Sequence, residues 1–183
     1  MRLFLNVVSF QCVWFACTWG AGHGIGWLGP AVLLAHVGLH RFIAGVRWLT
    51  ELRYALLAAV VGATGDSALQ WLGLLEFAAS PWGTAFAPPW MLALWIGFCT
   101  LLDHSLGWLR GRPRLTFGLG GVAGALTYWV AERLMALQVL GDPIITYGAV
   151  ALLWSVALPL LAETSPRCKS ARGASAPPRD INP

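Results

Sequence analysis

Long apolar runs separated by short polar breaks organise this chain. Six can be drawn, over residues 3–20, 27–45, 52–74, 89–109, 115–138 and 143–162. Each approaches the roughly 20 apolar residues that a helix needs to cross a bilayer. The breaks carry their own signals. Four glycines, Gly20, Gly22, Gly24 and Gly26, surround His23 and predict a tight turn with an exposed histidine. Thr50 is placed to cap the third helix, with Glu51 in its first turn. Pro88-Pro89 opens the fourth helix, where a missing N–H costs nothing. Asp142-Pro143 supplies a cap and a first-turn proline for the sixth. Ser80-Pro81-Trp82-Gly83 breaks the longest loop, residues 75–88. The expected fold is an all-α polytopic membrane helix bundle with six transmembrane helices over residues 1–162. A disordered basic cytoplasmic tail, 163–183, is expected to follow.

Composition narrows the class. Of 183 residues, 57% are hydrophobic and 11% charged, against about 25% charged in an average soluble domain. A soluble shell cannot be made from this supply, which excludes a cytosolic enzyme, a secreted domain and a nucleic-acid module. The run after Met1-Arg2 carries Asn6, Gln11, Trp14 and Trp19 without a small-residue cleavage site, so it is expected to stay as a first helix. The cysteines, Cys12, Cys17, Cys99 and Cys168, form no CxxC and give neither a disulfide framework nor a zinc pattern.

The net charge of +4 sets an orientation. Arg2, Arg41, Arg47, Arg53, Arg110, Arg112, Arg114 and the four basic residues of the tail all fall on one side of a six-span chain. Of the 12 basic residues, only Arg133 falls elsewhere. Both termini are therefore expected in the cytoplasm. Gly120-x-x-x-Gly124 permits close backbone approach and points weakly to a dimer.

Polar groups at membrane depth are costly and mark candidate sites. At 1.5 Å per residue they sort into two layers. The inner layer holds Asn6, His36, His40, Asp103 and His104, with His40 and His104 at similar depth on different helices. The outer layer holds Asp66, Gln70, Tyr128, Glu132 and Arg133. An ion pair between Asp66 and Arg133 is expected there, because each would otherwise be an isolated charge. The inner layer is open to two readings, a hydrogen-bonded seam that fixes helix packing and a proton-relay or polar-substrate site. Neither a metal site nor a cofactor is expected. Asp103 and His104 are adjacent and do not share a helix face, and no HExxH or phosphate loop is present.

Several stretches carry a resemblance. The most specific runs from Pro88 through Leu-Trp95 to Asp103-His104-Ser105-Leu106-Gly-Trp108-Leu109. Phe4-Leu-Asn6 with Gln11 and Trp14, Glu51-Leu52, Gly65-Asp66 and Gly124-Ala-Leu-Thr-Tyr128 join it. Together they resemble a family of small bacterial inner-membrane proteins classed as a domain of unknown function, over nearly all of the chain except the tail. The resemblance implies an asparagine before His104 where this chain has Asp103, so an ionised carboxylate is not required there. It also implies a multi-pass place in the bacterial inner membrane and an association with envelope lipid metabolism. The function expected is binding or moving a small or lipidic molecule through a polar bundle interior. The alternatives are a membrane-embedded lipid-modifying enzyme using His40 and His104 as proton carriers, and a structural subunit of a membrane complex. The non-enzymatic reading is the first choice. Membrane lipids and a membrane-protein partner are the expected contacts, and nucleic acid is not.

Overall fold

The computed structural model describes residues 1–44 and 48–166. Six α-helices make up the described chain: α1 (Arg2–Gly22), α2 (Leu28–Ala44), α3 (Trp48–Trp71), α4 (Pro89–Asp103), α5 (Pro113–Arg133) and α6 (Pro143–Thr164). A two-stranded ribbon, β1 (Leu75–Phe77) and β2 (Leu137–Val139), joins the ends of α3 and α5. By length and composition two of the helices can cross a membrane, over Leu3–Gly22 and Pro143–Thr164, while Pro89–Asp103 is apolar but shorter.

The helices run alternately up and down. At one end the start of α1 meets the end of α4, where the Ser105 hydroxyl donates to the Leu3 carbonyl at 3.2 Å. At that same end the loop after α4 meets the end of α6, where the Gly111 N–H donates to Glu163 Oε1 at 2.7 Å. At the opposite end the Thr146 hydroxyl at the start of α6 donates to the Leu74 carbonyl after α3, at 3.3 Å. Helix α4 is the central one. Trp90 and Leu102 on it are wholly buried, and Trp95 nearly so. The outer helices instead present large apolar side chains at mid-length: Leu34 is 76% exposed, Val60 62%, Val122 72% and Leu152 63%.

Capping explains several boundaries. Asp142 Oδ1 accepts from the Ile144 and Ile145 N–H groups at 2.7 and 3.3 Å, and Pro143 opens α6. Pro89 opens α4 from an extended Pro88. His23 ends α1, stacks on Trp19 with centroids 4.3 Å apart and stays exposed.

Other boundaries correct the sequence reading. Helix α3 already includes Trp48, so Thr50 lies inside the helix and is not its cap. Helix α4 stops at Asp103 rather than running to residue 109, and a short 3-10 turn over Gly107–Leu109 follows. The cause is Arg110, whose guanidinium folds back to donate to the Leu102 and Asp103 carbonyls at 2.9 and 2.7 Å. It thereby satisfies carbonyls that a continuing helix would have used. Helix α5 stops at Arg133, short of residue 138. Met135 takes a left-handed φ of 60°, and the chain then turns into β2. In the ribbon Leu75 pairs with Val139 and Phe77 with Leu137. Leu75 and Phe77 point into the core while Glu76 points out. The ribbon gives these loop backbones hydrogen-bond partners where their side chains are apolar and buried.

Gly120 and Gly124 pack within the chain, not across a dimer. A Cβ on Gly120 would lie 2.3 Å from the Trp154 carbonyl oxygen, and one on Gly124 2.3 Å from the Trp154 ring. Trp90 is wholly buried and donates from its indole to the Ala78 carbonyl at 2.9 Å. Residues 163–166 belong to the bundle, since α6 reaches Thr164 and Ser165 is buried. The rest of the expected tail, 167–183, lies outside the described residues.

Candidate functional site

Two polar clusters form, one toward each end, and a cavity adjoins the second. In the inner cluster Asn6 is the hub. Its amide donates to His40 Nδ1 at 3.3 Å and to the Thr100 hydroxyl at 3.5 Å. Its carbonyl oxygen accepts from the Ser105 hydroxyl at 2.6 Å. An amide nitrogen can only donate, so His40 Nδ1 is the accepting nitrogen. The ring proton therefore sits on Nε2, facing Glu51 Oε1 at 3.2 Å.

His36 lies between two hydroxyls, with Nδ1 2.9 Å from Ser9 and Nε2 2.8 Å from Thr100. Those hydroxyls also reach the Asn6 and Gly97 carbonyls at 3.2 and 2.7 Å. A neutral ring donates to one hydroxyl and accepts from the other. One of the two hydroxyls must then give up its backbone bond. His104 joins at the edge, its ring centroid 5.9 Å from that of His40. The structure thus brings His40 and His104 together, from the end of α2 and the residue after α4.

Asp103 lies apart from this hub. Its Oδ1 meets Arg110 at 3.1 Å and accepts from the Ser165 hydroxyl at 2.6 Å. The sequence reading counted Arg110 only among the loop charges. Its spacing of seven residues from Asp103 would have suggested the pair only if α4 were known to end there. Among the described residues, no group of three or more His, Cys, Asp and Glu is arranged to hold a metal ion.

The outer layer is built differently from the expectation. Asp66 is wholly buried. Its two oxygens accept from the Trp95 indole, at 2.8 Å, and from the Tyr128 hydroxyl. It meets no basic side chain among the described residues. Arg133, expected as its partner, is exposed and lies over the Trp129 ring at 5.5 Å. The reason is depth and direction. Arg133 is the last residue of α5, about 7 Å along the axis beyond Tyr128, and its long side chain turns outward. Glu132 is partly exposed and accepts from the Tyr147 hydroxyl at 2.6 Å. Gln70 is buried and its Oε1 accepts from the Phe77 N–H at 3.3 Å, which ties α3 to the ribbon. Of the five outer candidates, Asp66 and Tyr128 are joined by a hydrogen bond.

Trp95 is the residue that the sequence reading did not assign. It lies six residues into α4 from Pro89, which in the expected six-span arrangement is about 9 Å from one end of the span and about 21 Å from the other. That is the level reckoned for Asp66, so the same depth arithmetic contained the signal. Glycines seat it. A Cβ on Gly62 of α3 would fall 2.1 Å from the Trp95 ring. On its other side the ring stacks on Trp154, with centroids 4.4 Å apart and planes within 15°. Trp154 in turn has its room from Gly124.

Beside this stack lies a cavity of about 360 Å³. Trp14 and Thr18 line it from α1, Trp95 and Phe98 from α4, Thr127 and Tyr128 from α5, and Trp154 from α6. Its walls are mostly apolar, and seven of the lining residues are aromatic. The polar groups on its surface, Gln11, Thr18, Thr127 and Tyr128 among them, are neutral, and none of its lining residues is Lys, Arg or His. Small-molecule sites are commonly of this size and character.

With the fold and both clusters in place, the chain belongs to a family of helical proteins whose function is not assigned. The match runs over residues 3–160, and the family is described as a protein of unknown function, DUF2878. Comparison with curated proteins and with solved structures gives no match.

Proposed function

We propose that this chain is a six-span protein of the bacterial inner membrane that binds a small or lipidic molecule in the aromatic cavity between α1, α4, α5 and α6. The cavity carries this reading: about 360 Å³, walled by stacked and edge-on rings, with a buried carboxyl behind them. The membrane setting draws on three facts. Two helices are long and apolar enough to span. The outer helices expose large apolar residues at mid-length, where lipid chains would cover them. The arginines are unevenly divided, with Arg41, Arg53, Arg110, Arg112 and Arg114 toward one end of the bundle and, among the described residues, Arg133 toward the other. Ala123 and Leu126 of α5 line the cavity and are also exposed, so in this reading a ligand enters from the bilayer plane.

This places the ligand elsewhere than in a polar interior. The inner polar residues spend their hydrogen bonds on one another, and in this reading they serve as a seam joining α1, α2, α3 and α4. His40 and His104 need no catalytic role.

The test fills the cavity. Ala123 lines it, and Ala123→Trp would occupy much of its volume. Native mass spectrometry of the protein released from detergent should show a bound small molecule or lipid in the unmodified chain. Ala123→Trp should lose it, while Val60→Trp, on the outer surface of α3, should keep it. An adduct retained equally in Ala123→Trp would place the ligand elsewhere and end this reading.

A further inference from the structure

We propose that the cavity selects an organic cation, an alkylated or arylated onium group carried on an apolar body. This deepens the reading above and rests on it. Three features of the same site point to positive charge. First, aromatic faces carry negative partial charge, and ring-lined pockets hold quaternary ammonium groups through cation–π attraction. Trp14, Trp90, Trp95, Phe98, Tyr128 and Trp154 all contribute to the lining. Second, Asp66 stands directly behind two of those rings. Its carboxyl is wholly buried and bonded to Trp95 and Tyr128, both of which line the cavity. Its hydrogen-bond partners are the two neutral donors Trp95 and Tyr128, so a cation on the cavity side of those rings is the charge that favours its ionised form. Third, the lining holds no Lys, Arg or His that would repel a cation or welcome an anion.

The physical consequence is selection by sign of charge. A neutral apolar compound gains only from burial of its surface. A cation of the same shape gains in addition from the ring faces and from the Asp66 carboxyl, within a low-dielectric surround that weakens neither. An anion of that shape meets the same groups with the opposite sign. A trimethylammonium headgroup of a lipid and a free amphiphilic amine share the required chemistry.

Tetraphenylphosphonium and tetraphenylborate have nearly the same shape and opposite charge, and they separate charge from fit. Uptake of each by the full chain in phosphatidylglycerol nanodiscs is measured by equilibrium dialysis and corrected for uptake by empty discs. The expected result is saturable binding of the phosphonium, tighter than the borate by at least about tenfold. Asp66→Asn should bring that ratio toward one, and Ala123→Trp should remove the saturable binding. If Asp66→Asn fails to fold, the ratio in the unmodified chain decides alone. Adding phosphatidylcholine to the discs tells the source. Competition with the phosphonium identifies a lipid headgroup as the cation, and its absence identifies a free amphiphile. Equal binding of the two ions, or a preference for borate, overturns cation selection. If Ala123→Trp removes both ions in that case, the cavity remains a site for apolar molecules. Lack of saturable phosphonium binding also overturns cation selection, and the mass-spectrometric comparison then judges the cavity separately.

Discussion

Replacing Asp66 with alanine is expected to lower the unfolding midpoint in detergent by about 5–15 °C. The substitution leaves two buried donors, the Trp95 indole and the Tyr128 hydroxyl, without their acceptor. Each stranded donor costs about 1–3 kcal/mol, so the loss is about 2–6 kcal/mol in total. Arg133→Gln should stay within about 0.5 kcal/mol of the unmodified chain, because Arg133 is exposed and does not reach Asp66. Adding Tyr128→Phe to Asp66→Ala should cost less than the sum of the two single changes, because it removes a donor that the first change had stranded. Equal losses from Asp66→Ala and Arg133→Gln would restore the ion pair and refute the present account of the outer layer. The readout is thermal unfolding of the unmodified chain, the three single variants and the double variant side by side.

The second large effect concerns α5 against α6, the most extensive helix pair in the bundle. Gly120→Ala should destabilise by about 1–3 kcal/mol. Its new Cβ would sit 2.3 Å from the Trp154 carbonyl oxygen and 3.0 Å from the Leu158 Cβ. Backbone cannot rotate aside as a side chain can, so the two helices must move apart. Gly118 offers the opposite case two residues earlier. Nothing lies within 4 Å of a Cβ there, and Gly118→Ala should be neutral or stabilise by up to about 1 kcal/mol through helix propensity alone. The same chemical change thus has opposite signs at two neighbouring glycines. Thermal melts of the two variants in one detergent make the comparison. Loss at Gly118 matching that at Gly120 would mean that propensity and not contact governs this face.

Much of the fold can be read from the chain. Six apolar runs, the Pro89 opening and the Asp142-Pro143 cap mark the helices, because burial and capping act locally. The ends of α4 and α5 were harder. Apolar residues continue past Asp103 and Arg133, so hydropathy alone extends both helices. What stops them is tertiary: the Arg110 guanidinium takes the last carbonyls of α4, and β1 offers β2 a partner. Leu75-Glu76-Phe77 and Leu137-Gln138-Val139 do alternate apolar and polar, a period-two signal too short to outweigh the runs around it.

The inner cluster was legible in part by depth: matched distances from helix ends put Asn6, His40, Asp103 and His104 near one level and His36 a turn nearer the middle, although Asp103 bonds Arg110 and Ser165 instead of the Asn6 hub. Its internal bonding was not, because which hydroxyl meets which ring depends on helix rotation. The outer layer misled for a specific reason. Charge balance suggested Arg133 for Asp66, whereas the chain satisfies the carboxyl with neutral donors from Trp95 and Tyr128. A tryptophan in an apolar helix reads as packing, and its single N–H is easily passed over. The cavity could not be foreseen at all, because it depends on how the paired α5 and α6 stand against α1 and α4.

The reading of a lateral cavity facing lipid stands or falls with the six-span arrangement, and reporter fusions test that arrangement most directly. Alkaline phosphatase, active only outside the cytoplasm, and a fluorescent protein, folded only within it, are fused in turn after Ala79, Gly111 and Gly141. The account predicts active phosphatase at Ala79 and Gly141, and fluorescence without phosphatase activity at Gly111. Active phosphatase at Gly111, or fluorescence at Ala79 and Gly141, would contradict it.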